Sequence, residues 1–165
     1  MRRFRTDLYN ADGRPLTIIV AAELTNNGSD STRLAPLLEA VKQTAGEYPE
    51  QVLADAGFRS EAVFEALEHH PTELVVSLGR EGKKRISIDP KKRPRTAAMA
   101  EKFQTEQTQL DYRRRKWLSE PPNGWVKNVL GFRQFSMRGL RKARAEWRLV
   151  CAALNLRRMA NLMPA

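Results

Sequence analysis

The sequence predicts an α/β domain, and three observations support that prediction. Short apolar runs typical of buried strands occur at residues 16–22, 51–54 and 73–78. Stretches with apolar residues at helical spacing, near residues 34–45 and 60–67, separate these runs. This alternation of strands and helices favours parallel pairing in a sheet that helices cover.

The first apolar run is expected to be the second strand of a β-hairpin. Residues 3–11 and 15–24 flank a turn in which Asp12 and Gly13 supply the backbone conformation that a tight turn needs. Because the run 16–22 is almost continuously apolar, we expect both of its faces to be buried.

Helix boundaries can be predicted from capping residues. Asp30, Ser31 or Thr32 is suited to cap the first helix, and Gly46 is expected to end it. Ser60 is expected to cap the second helix. Ser119 is a further N-cap candidate, which would place Glu120 in the first turn of a helix, where the two following prolines are tolerated.

The second half of the chain is predicted to be mostly helical. Residues 79–95 are rich in Gly, Pro, Lys and Arg and predict a basic loop, and residues 96–118 predict a polar helix. Residues 138–162 predict an amphipathic helix. Its apolar face would carry Leu140, Ala143, Trp147, Cys151 and Leu154.

Charge is distributed unevenly along the chain. Residues 1–78 contain 7 Lys/Arg and 12 Asp/Glu, a balance of −5, whereas residues 79–165 contain 22 Lys/Arg and 7 Asp/Glu, a balance of +15. A half with this excess of positive charge favours a polyanion as partner, and nucleic acid is the usual one. A solvated basic surface is the alternative explanation.

Other classes of protein are excluded by composition. No run of about 18 apolar residues predicts a membrane span, and residues 1–5 do not begin a signal peptide. Cys151 is the single cysteine, so neither an internal disulfide nor a cysteine zinc site is expected. These features predict a cytoplasmic protein.

Two acidic residues stand where a metal ion could bind. Asp55 follows the strand 51–54 directly, and ligands gather at the carboxyl ends of strands in open α/β sheets. Glu120 lies seven residues before Lys127, so both would occupy one face of a helix. Each residue alone could equally be a turn or capping residue.

Taken together, these segments resemble the DDE-type insertion-sequence transposases. Residues 52–58, with Asp55, Gly57 and Phe58, resemble the signature around the family's second catalytic acid. Residues 112–127 resemble the Tyr-Arg-Glu-Lys signature around the third acid. In that segment Tyr112, Glu120 and Lys127 match, and either Arg115 or Lys116 fills the arginine position.

The resemblance implies a ribonuclease H-like fold, in which a mixed sheet is flanked by helices. Residues 1–78 would form a partial sheet with its helices, 79–95 a basic loop, and 96–165 a helical part that completes the domain. It also implies that Asp55 and Glu120 bind Mg²⁺ or Mn²⁺ for cleavage and transfer of DNA strands.

The resemblance further implies DNA, in the form of transposon ends, as the partner, with no small-molecule substrate and no membrane. The residues expected to contact DNA are Tyr112, Arg115, Lys116 and Lys127, together with Lys83, Lys84, Arg85, Lys91, Lys92, Arg93 and Arg95 of the basic loop.

The first catalytic aspartate of the family has no counterpart that can be placed on this chain. We therefore expect a carboxy-terminal fragment, truncated at the amino end of the sheet. The loss of that strand would leave sheet edges unpaired and favour self-association, with a homodimer as the simplest form. A non-catalytic remnant that binds DNA or a full-length transposase is the alternative function, and a host nuclease of similar fold is a third.

We predict that the isolated chain does not cleave DNA, because two carboxylates hold Mg²⁺ more weakly than three. Incubation with Mg²⁺ and cognate transposon ends, followed by electrophoresis of end-labelled strands, checks this. Strand cleavage above the metal-free background would contradict it.

Overall fold

A computed structural model describes residues 18–79 and 88–161, apart from the side chains of residues 116, 117 and 120. Within these residues the chain is a mixed α/β structure. Its two strands are β1 (Gln51–Ala54) and β2 (Glu73–Val76). Its α-helices are α1 (Leu34–Ala45), α2 (Glu61–Ala66), α3 (Pro94–Lys102), α4 (Glu106–Asn128) and α5 (Leu140–Ala160).

Strands β1 and β2 pair in parallel, as the alternation of strands and helices predicts. Gln51 stands opposite Glu73, and Ala54 stands opposite Val76. Val76 is fully buried in a core that also contains Leu34 and Leu38 of α1, Ala54, Phe64 and Leu67 near α2, and Leu74. The apolar faces of two helices therefore cover this pair of strands.

Helix α1 ends at Gly46 as predicted, but it does not begin as predicted. Gly46 adopts the left-handed conformation, with φ of 86°, and its N–H donates to Lys42 O. At the other end, a short 3₁₀ turn over Ser31–Arg33 leads into the helix, and Asp30 makes no side-chain capping bond. The Asp30 carbonyl accepts from Arg33 N at 2.9 Å instead, so a backbone turn replaces the expected cap.

Glu61 of α2 caps the beginning of α3. Its Oε1 accepts from Arg95 N at 2.8 Å. Its Oε2 accepts from Thr96 N at 2.9 Å and from Thr96 Oγ1 at 2.6 Å. The first N–H groups of a helix have no partner within the helix, so this one carboxylate satisfies two of them from a neighbouring element.

The predicted polar helix 96–118 is two helices, because residues 103–105 form a turn between α3 and α4. The prediction that Ser119 caps a new helix is wrong. Helix α4 continues through Pro121 and Pro122 to Asn128, and Ser119 Oγ donates to Arg115 O at 2.8 Å. A hydroxyl that donates to the carbonyl four residues earlier lies inside a helix, whereas a cap would accept from an N–H further along the chain.

The described residues divide into two compact units. One lies within Asn26–Ser119, and the other combines residues 18–25 with residues 120–161. The three segments expected from the sequence stay a prediction. The division passes through α4 next to its two prolines, which cannot donate backbone hydrogen bonds.

The prediction of a strand over 15–24, buried on both faces, is wrong for the described residues 18–24. They form no strand, and Ile18 and Val20 are exposed. The backbone of Ile19 is held by one side chain of α5, because Asn155 Oδ1 accepts from Ile19 N at 2.9 Å and Asn155 Nδ2 donates to Ile19 O at 2.7 Å. The primary amide thus takes both bonds that a neighbouring strand would have made.

Helix α5 buries the face that the sequence predicts. Ala143, Cys151 and Leu154 are buried, and Leu140 and Trp147 are half-buried. Burial also raises the pKa of the Cys151 thiol. Arg144 on the same helix donates to Leu24 O at 2.6 Å, which adds a second anchor for residues 18–25.

Some predicted features lie outside the described residues. These are the strand at 3–11, the turn at 12–13, and Lys83, Lys84 and Arg85 of the basic loop. Of that loop, the structure describes residue 79 and residues 88–93, since α3 already begins at Pro94. None of the described helices combines the length and the apolar character needed to cross a membrane.

Replacing Glu61 with Ala should lower the free energy of unfolding by about 1–2 kcal/mol, because the first turn of α3 loses its acceptor. Urea denaturation followed by circular dichroism measures the change. Glu65→Ala is a matched control on the same helix. Glu65 makes only an exposed 3.4 Å ion pair with Arg95, so its loss should cost less than about 1 kcal/mol. Equal losses in the two variants would contradict the capping role.

Stability should decline in acid, because three glutamates have a lowered pKa in the folded chain. For Glu61 partial burial raises the pKa, but hydrogen bonds from Thr96 and Arg95 outweigh this effect. Lys102 lowers the pKa of Glu73, and Ser136 lowers that of Glu146. Since each folded pKa lies below its unfolded value, the stabilisation is present above about pH 4.5 and is lost as the pH falls through the folded pKa. Unfolding free energies measured from pH 7 to pH 3 check this, and a flat profile would contradict it.

Candidate metal and phosphate site

Asp55 lies directly after the carboxyl end of β1. Strand pairing continues past Ala54, whose carbonyl accepts from Ser77 N at 3.0 Å, and Asp55 follows in extended conformation. Its Oδ1 accepts from Gly57 N at 2.9 Å, and this bond orients the carboxylate. With 54% of its side chain exposed, Asp55 can accept a ligand from solvent.

Gly57 lies close to this carboxylate. A β-carbon on Gly57 would lie 3.0 Å from Asp55 Oδ1, so the carboxylate would have to shift by a few tenths of an ångström. The same β-carbon would lie 3.8 Å from Asp30 Oδ2. The carboxylates of Asp30 and Asp55 therefore flank one glycine, although they are 25 residues apart in the chain.

Arg115 of α4 provides a cation beside Asp55. Its Nη1 lies 4.0 Å from Asp55 Oδ2, at the outer limit of an ion pair. Its Nε is buried without an acceptor in the described part of the chain. The guanidinium therefore has donors that the protein itself does not use fully.

The Tyr112 ring, packed edge-on against Phe103, contacts Arg115. The Arg115 guanidinium carbon lies 5.3 Å from the centre of the Tyr112 ring, within the range of a cation–π contact. Tyr112 is 8% exposed and packs edge-on against Phe103, with 5.1 Å between the ring centres. The buried Tyr112 ring thus packs against the Arg115 guanidinium, and little of the ring itself is accessible to a ligand.

The loop after Asp55 is fastened to the end of β2. Arg59 Nη1 donates to Leu78 O at 2.5 Å. Since Leu78 follows β2 and Asp55 follows β1, this bond ties together the two carboxyl ends of the sheet. The turn that carries Asp55 is therefore constrained from both sides.

The structure brings together Asp55, Tyr112 and Arg115 among the residues predicted to form the site. Glu120 and Lys116 belong to α4, but their side chains are not described, so the sharing of a metal by Asp55 and Glu120 stays a prediction. Lys127 is exposed in the last turn of α4 and belongs to the other unit.

The basic residues around the beginning of α3 differ in whether carboxylates contact them. Lys91, Lys92 and Arg93 are exposed. Arg95, in contrast, contacts Glu65 at 3.4 Å and Glu68 at 3.1 Å, so carboxylates compensate its charge.

Sequence reasoning did not include Asp30 or Arg59 in the site. The sequence offers Asp30 as a helix-cap candidate and gives no signal for Arg59. Asp30 approaches Gly57 from a turn 25 residues before Asp55, whereas Arg59 lies four residues after Asp55 and bonds to the end of β2. The Gly at position 57 was the one available signal that a side chain approaches the backbone closely there.

The oxygen atoms at this site are hard ligands of the kind that bind divalent cations. In the described residues, however, no group of three or more His, Cys, Asp or Glu side chains is arranged to hold a metal ion.

Comparison with known proteins assigns a family to the chain. Neither the curated proteins nor the solved structures contain a match. The sequence model of one family, described as the transposase DDE domain, matches residues 8–156 and so spans Asp55, the Tyr112–Arg115 pair and Glu120. Such transposases generally act on DNA and use divalent metal ions. Since the match covers most of its length, the chain belongs to the transposase DDE domain family.

Proposed function

We propose that this chain is part of the catalytic domain of a DNA transposase and has a ribonuclease H-like fold. In the intact enzyme it would take part in metal-dependent cleavage and transfer of DNA strands in the cytoplasm. Asp55 and Glu120 would supply two of the carboxylates for Mg²⁺ or Mn²⁺. The observation that carries the proposal is the oriented carboxylate of Asp55 at the end of a parallel strand, with the Arg115 guanidinium 4.0 Å away.

Asp55 suits a metal ligand because its geometry is fixed while its coordination is incomplete. The bond from Gly57 N engages Oδ1, so the carboxylate plane is set before any ligand arrives. The second oxygen, Oδ2, makes only the long contact with Arg115. Preorganised ligands of this kind bind without the cost of immobilising a mobile side chain.

Arg115 suits a phosphate ligand for a related reason. An ion pair at 4.0 Å with an exposed partner contributes less than about 1 kcal/mol, so it can be exchanged readily. A guanidinium also matches the oxygens of a phosphate better, because it can donate two parallel hydrogen bonds. We therefore assign Arg115 to a phosphate of the DNA backbone and Tyr112 to the positioning of Arg115.

In the proposed reaction, the metal ions and the residues of this chain have separate roles. A bound divalent cation would supply activation of a water or a 3′-hydroxyl and stabilisation of the departing oxygen. In this proposal Asp55 would offer an oriented carboxylate to the metal, Arg115 would bind the phosphate, and the Gly57 N–H would orient the Asp55 carboxylate.

Contacts to the DNA backbone would come from exposed cations. We propose Lys91, Lys92 and Arg93 for this role, with Lys83, Lys84, Arg85, Lys116 and Lys127 as further contacts. Arg95 contributes less than these, since its charge is already compensated by Glu65 and Glu68. Contacts of this type position the protein on DNA without reading its sequence.

Replacing Asp55 with Asn should weaken Mn²⁺ binding by at least about tenfold, because a neutral amide is a poorer ligand for a hard cation. Electron paramagnetic resonance of free Mn²⁺ measures the affinity. Asp89→Asn is a matched control, since Asp89 also accepts a hydrogen bond from the residue two positions later, Lys91 N at 3.0 Å. Equal Mn²⁺ affinities for the two variants would contradict the assignment.

The same variants separate an enzyme from a DNA-binding remnant. Filter binding of a DNA duplex over a salt series gives both the affinity and its dependence on salt. Arg115→Gln should weaken binding and reduce the salt slope by about one. If the chain binds DNA but Asp55→Asn changes neither Mn²⁺ nor DNA affinity, the non-catalytic alternative is supported and the metal proposal fails.

A further inference from the structure

Helix α5 has a second apolar stripe in addition to its buried face. The stripe consists of Ala145, Leu149, Ala152, Leu156 and Met159, all of them exposed. Leu149 is 70% exposed and Leu156 is 66% exposed, values well above those of the other leucines of this helix. A helix that is apolar on two faces is typical of one covered on both sides.

The spacing of the stripe is that of a coiled coil. Successive members are four, three, four and three residues apart, which is the heptad pattern of a two-helix seam. In this pattern Leu149 and Leu156 alternate with Ala145, Ala152 and Met159. A seam of this kind is self-complementary, because an identical helix presents the same knobs and the same holes.

Charges beside the stripe also match a second copy. In a parallel pair, a residue that flanks the seam faces the residue five positions later on the other helix. Arg141 and Glu146 flank the stripe with this separation, so Arg141 would face the partner's Glu146, and two-fold symmetry would repeat the contact. Glu146 accepts hydrogen bonds from Ser136 N and Met137 N, which stabilise its ionised form.

We propose that the exposed stripe of α5 pairs in parallel with the same stripe of a second copy of this chain. The seam extends over 15 residues, about 21 Å of helix. It is shorter than the seams of stable coiled coils, and two of its five members are alanine. We therefore expect a weak dimer, with a Kd on the order of 10 µM.

Salt should strengthen this dimer. Helix α5 contains six Lys and Arg residues but only one acid, so two copies repel each other at low ionic strength. Screening removes this repulsion and leaves the apolar seam intact. Binding to DNA has the opposite dependence on salt. An association bridged by nucleic acid would therefore weaken as the salt concentration rises, and this distinguishes it from the proposed dimer.

Sedimentation equilibrium tests the proposal on nucleic acid-free full-length chain at 50 and 500 mM salt. Wild type should shift from monomer towards twice its mass as concentration rises through the expected Kd, and more so at high salt. Leu149→Glu and Leu156→Glu should each weaken association by at least about tenfold. Leu110→Glu is the matched control, since Leu110 is an exposed leucine of α4 outside the stripe, and it should behave as wild type.

A monomeric wild type at all concentrations would overturn the proposal, and so would equal association of the Leu149→Glu and Leu110→Glu variants. The orientation is tested by oxidising Ala145→Cys. In a parallel seam this position meets its own copy, so a covalent dimer should form. Ala98→Cys, at an exposed alanine of α3, should not cross-link, and the native Cys151 is buried. Failure of Ala145→Cys to cross-link would overturn the parallel register. None of these results depends on metal binding by Asp55.

Discussion

The parallel pairing of β1 with β2 is the constraint on which the candidate site depends. Leu74, Val75 and Val76 are all buried, so β2 is covered on both faces, and Ala54 is buried opposite Val76. The register therefore fixes where the backbone leaves the sheet, and Asp55 is the first residue beyond that point. Packing of α1 and α2 over the strands maintains this register without direct contact with the site.

The sequence could predict part of this site, because some of its signals are local. An apolar run followed by Asp55 and Gly57 specifies a strand end and a tight turn within a few residues. The position of Arg115 is different, since it depends on how α4 packs over a turn 60 residues earlier. The spacing of the family signature leaves Arg115 and Lys116 as alternatives, and the ring of Tyr112 and the contact with Asp55 single out Arg115 among the described side chains.

The two failed predictions have different physical causes. Residues 18–24 have the composition of a strand, but the Asn155 side-chain amide bonds to the Ile19 N–H and carbonyl that a neighbouring strand would have paired. Ser119 with its two prolines has the composition of a helix start, but its hydroxyl donates to the Arg115 carbonyl inside α4, whereas a capping oxygen would accept from an N–H. The first difference depends on a residue 136 positions away, which no local pattern signals.

The bond pair between Ile19 and Asn155 also bears on how the chain folds during synthesis. Residues 26–119 form one continuous unit, whereas residues 18–25 must wait for a partner 136 positions further along the chain. At ribosomal speed this wait is on the order of ten seconds. Throughout it the Ile19 backbone and the Leu24 carbonyl lack the α5 side chains that hold them in the folded chain, and their polar groups bond to water instead.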